Sequence, residues 1–291
     1  MNIYTTNILL FSESFPYLSP MKQTMTLLLL LLAVCRASAR EDSLLVVFWN
    51  TENFFLESKG FSTKCNAISK IIFKIADLYD GRLPDAIGLA EVENAEVLKK
   101  LTGLTPLRKA GYSIIHFDSP DHRGIDCALL YRKATMHLVE AKPEHILSEN
   151  GEILPTRDIL VARFDSLAIL VNHHPSKVGD GSQKRRDIAM ARMRELCDSL
   201  STPWISIGDF NENVWDDNLS HGTIKYNGKW EKIDGCFSGG LRSCTERVCA
   251  FPELLERDRA YGGYKPRRTS IGPRYNGGVS DHLPIAVILK F

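Results

Sequence analysis

No stretch of this 291-residue sequence is apolar for long enough to cross a bilayer as a helix. The run around Leu27–Leu32 falls well short of the roughly 20 residues a spanning helix needs. No CxxC pair occurs, which removes the usual signature of a structural zinc site. Linkers rich in proline or serine, low-complexity tracts and internal repeats are missing too, so nothing divides the chain into modules. An excess of either charge is also lacking. Residues 1–39 contain Lys22, Arg36 and Glu13, and without them the chain has 34 basic and 34 acidic residues. That balance is not the electrostatic footprint of a tight, non-specific nucleic-acid binder.

What is present begins with a leader. Met21-Lys22 gives a positive start, Leu27–Leu32 an apolar centre and Ala37-Ser38-Ala39 a small-x-small cleavage site, the pattern of a secretory signal cut before Arg40. Residues 1–20 read as an upstream start-site extension. The expectation is an exported chain, periplasmic or extracellular, with no integral membrane segment after cleavage. A lipoprotein held through Cys35 ranks second, because Val34 stands where that signal prefers a small residue. The remaining 252 residues, Arg40–Phe291, are expected to form one domain. Six cysteines survive cleavage, an even number that invites disulfides in an exported chain. Cys244 and Cys249, close together in a polar stretch, are the expected pair, and Cys127, inside an apolar strand pattern, is expected as a buried thiol.

The hydrophobic pattern alternates strands with helices. Ile68, Ile71, Ile72, Ile75 and Leu78 recur at helical spacing, as do Ala189, Met193, Leu196 and Leu200 in a helix expected to begin near Lys184; Ala95–Leu101 reads as a shorter helix. Strand patterns cover Ser113–Phe117, Cys127–Tyr131 and Met136–Ala141, and Ile159–Phe164 pairs with Leu167–Val171 as a hairpin around Asp165-Ser166. This mixture suits two packed mixed sheets with helices outside both.

Five apolar strand patterns carry Asn, Asp, Glu or His at one end. Asn50 follows Val46-Val47-Phe48-Trp49, Glu91 follows Ala86–Ala90, and Asn172-His173-His174 follows Ala168–Val171. Asp209 and Asn211 follow Trp204–Gly208, and Asp281-His282 precedes Pro284–Leu289. Alternation along an extended chain puts Asp209 and Asn211 on one side and Phe210 on the other. One such cluster reads as a strand closed by an Asx turn. Five argue for a shared site of hard oxygen donors and imidazoles, since a carboxylate ending so apolar a strand as that of Glu91 must reach solvent, a cation or a metal.

Together these residues resemble the endonuclease/exonuclease/phosphatase superfamily of metal-dependent, DNase I-like phosphoesterases, here as an exported bacterial-type member. The resemblance rests on six motifs in the family's order between Leu44 and Phe291: Trp49-Asn50-Thr51-Glu52-Asn53, Ala90-Glu91-Val92-Glu93-Asn94, Arg123-Gly124-Ile125-Asp126, Asn172-His173, Gly208-Asp209-Phe210-Asn211 and Ser280-Asp281-His282-Leu283-Pro284. It implies an α/β fold, a four-layer α-β-β-α sandwich of two mixed β-sheets. It implies a phosphoester hydrolase in which water attacks phosphorus directly, with Mg2+ or Mn2+ as cofactor. Glu91, Asn50 and Asp281 are the implied metal residues, and Glu52 is a weaker one. His173, Asp209, Asn211, His282 and Asp281 are the implied catalytic residues, with Asp209 orienting water, Asn211 holding phosphate, Asp281 or Asp209 orienting His282, and either Asp209 or a histidine as the base that activates the water. Arg123 and Asn172 are expected to meet substrate. The family writes the fourth motif with its histidine either next to asparagine or one residue on; Pro175-Ser176-Lys177 favours His173 over His174. A nucleic acid is the leading substrate, a small, sugar or lipid phosphoester the alternative, and a catalytically inactive binding module the last. Lys184-Arg185-Arg186 offers local positive charge, with pairing to Asp180 or Asp187 its plainer use. Nothing implies a protein partner.

Overall fold

The computed structural model describes residues 43–213 and 222–291, of which Leu44–Phe291 belong to one compact unit. The expected leader, its cleavage before Arg40 and Cys35 lie outside the described residues. Among the described residues no helix is long and apolar enough to cross a membrane.

In chain order, β1 (Ser43–Phe54) is followed by helix α1 (Phe61–Asp77), β2 (Ala86–Val92), helix α2 (Ala95–Leu104), β3 (Tyr112–His116), β4 (Asp126–Arg132) and β5 (Leu138–Glu144). Next come β6 (Ile159–Phe164), β7 (Ala168–His173), helix α3 (Ser182–Asp198) and β8 (Trp204–Asp209). A small hairpin, β9 (Ile224–Tyr226) and β10 (Lys229–Glu231), precedes β11 (Asp234–Gly239) and β12 (Ser243–Val248). Two more hairpins, β13 (Leu255–Arg257) with β14 (Tyr264–Pro266) and β15 (Ser270–Ile271) with β16 (Arg274–Tyr275), lead to β17 (Ile285–Lys290). The main strands form two mixed sheets, one ordered β12-β17-β1-β2-β4-β3 and the other β11-β8-β7-β6-β5. The parallel pairs are β1 with β2 and β7 with β8.

Side-chain alternation builds the layers. Along β1, Leu45, Val47 and Trp49 face a core shared with α1 and α2, whereas Val46 and Phe48 face the second sheet. Along β7, Ile169 and Val171 enter the layer between the sheets, and Leu170 packs on the side of α3 with Ala189 and Met193. Strands buried on both faces read as unbroken apolar runs. Ile68, Ile71, Ile72 and Ile75 fix α1 on its sheet, and the Asn94 carboxamide starts α2 by accepting from the Glu96 and Val97 amides. The outcome is the expected four-layer α-β-β-α sandwich.

Three local expectations change. The Lys184-Arg185-Arg186 run does not turn to Asp180 or Asp187: Lys184 pairs with Glu149, and the buried Arg186 with Glu212. Helix α3 starts at Ser182 after Gly181, whose φ of 67° is left-handed. Cys244 lies not beside Cys249 but 3.6 Å, sulfur to sulfur, from Cys236, while the Cys249 thiol turns to the Arg247 carbonyl. Cys127 is the buried thiol expected of it.

Candidate active site at the strand ends

The C-terminal ends of the two parallel pairs lie across from one another and carry the polar residues. Gly208 lets β7 and β8 close at this point, because a Cβ there would stand 2.4 Å from the Asn172 carbonyl oxygen and 2.6 Å from the Asn172 Cβ. The neighbouring register pair is His173 with Asp209, so closure delivers both to one place. Opposite them, the β1–β2 ladder slips between Asn50 and Phe54 and the β2–β4 ladder slips between Leu89 and Val92, which re-aims the residues in those gaps. Glu52, Asn53, Glu91 and Asn211 all have positive φ, between 46° and 61°. Backbone of this kind in non-glycine residues gathers where function demands it.

Asn50 is the hub. Its amide nitrogen donates to Asp209 Oδ2 at 3.0 Å and more weakly to Glu91 Oε1 at 3.4 Å, while its oxygen accepts from the Glu52 amide. Glu91 Oε2 accepts from the Asn53 amide at 2.8 Å. His173 Nε2 lies 3.7 Å from Asp209 Oδ2 and 3.9 Å from Glu91 Oε1. His282 Nε2 approaches the same Asp209 oxygen to 3.8 Å from a separate strand end. Burial, with Arg157 and His282 next, pushes His173 well below the usual histidine range. Burial and the nearby Asp234 raise Asp209 to about 7 against the opposing effects of His282, Asn50 and the Asn211 amide. Burial alone would lower His282 as well, but Asp234, Asp209 and Asp281 outweigh it and hold the ring well above its ordinary value. One imidazole is therefore neutral and the other cationic around a single carboxylate.

The carboxylate that fixes His282 is Asp234, with Oδ2 2.8 Å from Nδ1, rather than Asp281 or Asp209. Asp234 opens β11 directly opposite Asp209 in the antiparallel ladder. Sequence reading missed it, because Asp234-Gly235 looks like an ordinary turn; the only available signal was its place at the head of an apolar strand. Asp281 stands at the rim, 3.0 Å from Arg268 Nη2 and 3.9 Å from His282 Nε2. Glu52, the weaker metal candidate, is occupied by Arg268 Nε at 2.8 Å and the Thr269 amide at 2.7 Å.

Asn172, expected to meet substrate, is fully buried and donates to Ser206 Oγ at 2.8 Å. Its place in the motif is structural: it lies under Gly208. Asn211 donates from its amide to the His174 carbonyl, which leaves one N–H of the pair. His174 points away from the cluster, edge-on to Phe210 at 5.1 Å between ring centroids, and burial with Arg157 lowers it to about 3. Arg123 is half exposed and held by Asp121, which the buried Arg157 also grips at 3.1 Å.

The donor set fits a hard divalent cation. Glu52, Glu91, Asp209, Asp234 and Asp281 bring five carboxylates together, and burial with the neighbouring Asp234 raises Asp209 to about 7, so a cation beside it would favour its ionised form. Oxygen-rich, partly hydrated sites of this kind take magnesium or manganese.

The fold is the DNase I-like one of a superfamily whose members are metal-dependent phosphoesterases. The chain belongs to the endonuclease/exonuclease/phosphatase family, whose model matches residues 48–238. Solved structures with the same fold include truncated Caenorhabditis elegans TDP2, at 17% identity and TM-score 0.54 over 86% of this chain and 98% of that one. The mannosyl-6-phosphatase of Bacteroides thetaiotaomicron VPI-5482 aligns at 18% identity and TM-score 0.54, over 85% of this chain and 100% of that one. The human Nocturnin catalytic domain with bound sulfate aligns at 14% identity and TM-score 0.55, over 86% and 94%. No protein of curated function matches the chain in sequence.

Proposed function

We propose that this chain is an exported, Mg2+- or Mn2+-dependent hydrolase that cleaves phosphoesters in nucleic acid by direct attack of water on phosphorus. The observation that carries the hydrolase reading is the convergence of Asn50, Glu91, His173, Asp209 and His282, from five strand ends, on the surroundings of one Asp209 oxygen. Glu91 would hold the metal, with Asn50 and Asp281 to help, and the metal would supply charge stabilisation to the phosphate in the transition state. Asp209, raised to about 7, is suited to orient the water and take its proton near neutral pH. The His282 cation, steadied by Asp234, offers Nε2–H to a phosphate oxygen; neutral His173 and the free N–H of Asn211 offer two more contacts.

Nucleic acid leads because of the hairpins beside the site. Residues 222–231 and 255–275 hold eight lysines and arginines against three acidic residues, in a chain whose total is +1. Tyr226, Tyr261 and Tyr264 are exposed among them, a composition that suits a single strand through stacking and backbone charge. The first hairpin is tied to the site, since Thr223 accepts from the Leu283 amide through its carbonyl and from the Asp234 amide through its hydroxyl. The balanced total charge favours the second reading, a sugar or other small phosphoester, and a mannosyl-6-phosphatase shares the fold.

The test is turnover by purified protein, with magnesium, manganese or chelator, of single- and double-stranded DNA, RNA, sphingomyelin, inositol phosphates and sugar monoesters. Cleavage of a polynucleotide that needs metal is expected. Glu91→Gln keeps the side-chain shape and removes the charge, so its activity should fall steeply and recover in part at high magnesium. Turnover of monoesters alone would overturn the nuclease reading, and none of any substrate would overturn the hydrolase.

A further inference from the structure

Of the six described cysteines, Cys236 and Cys244 are the pair whose sulfurs touch, 3.6 Å apart. Cys236 lies on β11, an edge strand of the five-stranded sheet, and Cys244 on β12, an edge strand of the six-stranded sheet. Both side chains enter the apolar layer between the sheets. The chain joining these strands is only Gly240-Leu241-Arg242, so the two strands are already held close, and the buried Lys232–Glu246 ion pair spans the same junction. Cys65, Cys127, Cys197 and Cys249 are buried without a thiol neighbour, so among the described residues each member of this pair has the other as its thiol contact.

We infer that Cys236 and Cys244 form a disulfide that clamps the edges of the two sheets together. The roles of the two thiols differ. Cys244 is partly exposed, and the Cys236 thiol, hydrogen-bonded to it, holds it at about 7, with Ser238 acting in the same direction. Cys236 is buried, its sulfur against that of Cys244. Cys244 thiolate is therefore the attacking group, reaching one sulfur of a small disulfide such as glutathione disulfide. The donor's S–S bond breaks, one thiolate leaves, and a mixed disulfide remains on Cys244. Cys236 then gives up its proton to solvent and attacks the Cys244 sulfur, which expels the second thiolate. Two electrons and two protons leave the protein, and one donor disulfide becomes two thiols. Asp234, two residues before Cys236 on the same strand, is the residue that fixes His282, so the clamp lies next to the catalytic scaffold but outside it.

Trypsin makes the link directly readable, because Arg242 separates the two cysteines into peptides Ile233–Arg242 and Ser243–Arg247, while Cys249 falls in Val248–Arg257. The full chain, equilibrated in a glutathione redox buffer of secretory poise, is alkylated in denaturant, digested and analysed by mass spectrometry. The expected result is a linked Ile233–Arg242/Ser243–Arg247 species that dithiothreitol abolishes, with Cys65, Cys127, Cys197 and Cys249 fully alkylated. A thermal midpoint that falls on reduction, and does not fall for Cys244→Ser, is expected alongside it. In Cys236→Ser, Cys244 should be trapped as a glutathione mixed disulfide. Complete alkylation of both thiols in the oxidising buffer would overturn the inference, and so would a Ser243–Arg247/Val248–Arg257 link in its place.

Discussion

At the scale of single residues the site turns on how one carboxylate, Asp209, is shared by two histidines of opposite charge state. Asp234 decides the state of His282: it grips Nδ1 and, after burial, is the largest influence on a ring held well above its ordinary value. Asp234→Asn keeps a hydrogen-bonding group of the same shape and removes the charge. The His282 value should then fall, moving the limb of the pH–rate profile that reports this cation to lower pH. Turnover near neutral pH should drop on the order of 10²-fold, the scale of a mispositioned acid. A profile unmoved by Asp234→Asn would show that His282 does not act as a cation. The two adjacent histidines illustrate how strongly one step along a strand divides chemistry. His173 joins the cluster, while His174, its neighbour, has no hydrogen-bond partner for either ring nitrogen and packs on Phe210.

At the scale of elements the site depends on how closely β7 and β8 approach. Gly208 is required because a methyl group there meets backbone rather than a side chain that can rotate aside. Gly208→Ala must push the strands apart where they carry Asn172, His173 and Asp209. The expected loss of stability is about 1–3 kcal/mol, the usual cost of overfilling a packed interior, measured by urea unfolding. Turnover should fall more than the unfolded fraction explains, because the His173–Asp209 register pair is displaced with the strands. Wild-type stability in Gly208→Ala would mean that the strands adjust without strain. Helix α1 was legible from spacing, since Ile68, Ile71, Ile72 and Ile75 recur on one of its faces, although Leu78, expected to continue that face, lies past its end and is exposed. The start of α3 was less so, because Gly181 carries no side-chain signal beyond its tolerance of left-handed backbone.

Across the whole molecule, four buried groups shape how stability depends on pH. His174, lowered to about 3 by burial and Arg157, and His173, lowered by burial, Arg157 and His282, support the fold fully only above the ordinary histidine value of 6.5. Their contributions are lost as pH falls through the depressed values. Asp209 runs the other way: raised to about 7, its contribution is complete below the ordinary value of 3.8 and gone once pH passes about 7. His282, also raised, contributes fully below 6.5 and loses that contribution as pH climbs through its folded value. Below 6.5 two histidines oppose one carboxylate, and above it only losses remain among these groups. Among these four groups the balance favours the fold most near pH 6.5, while Cys244, lowered to about 7 by the Cys236 thiol, and Lys64, lowered to about 8 by burial, add stability as pH rises above those values. Magnesium should lift the melting temperature more above pH 7 than below it, since Asp209 is ionised there, and an equal lift on both sides, measured against chelator-treated protein, would contradict this balance.

Local patterning was enough to read the layers and most of the cluster. Alternation is a local property, so the runs ending in Asn50, Glu91, His173 and Asp209 could be read as doubly buried strands with polar ends before any pairing was known. It could not determine which ends meet across the molecule or what each polar group does on arrival. Asp234 became the partner of His282 only because β11 runs antiparallel to β8 in a register that places it opposite Asp209. Asn172 became a buried support for Gly208, Glu52 was taken up by Arg268 and Thr269, and Cys244 met Cys236 instead of Cys249. Each of these outcomes joins residues through strand pairing, sheet packing or a slipped ladder. Those contacts depend on the closure of distant segments, and a window of neighbouring residues carries no information about them.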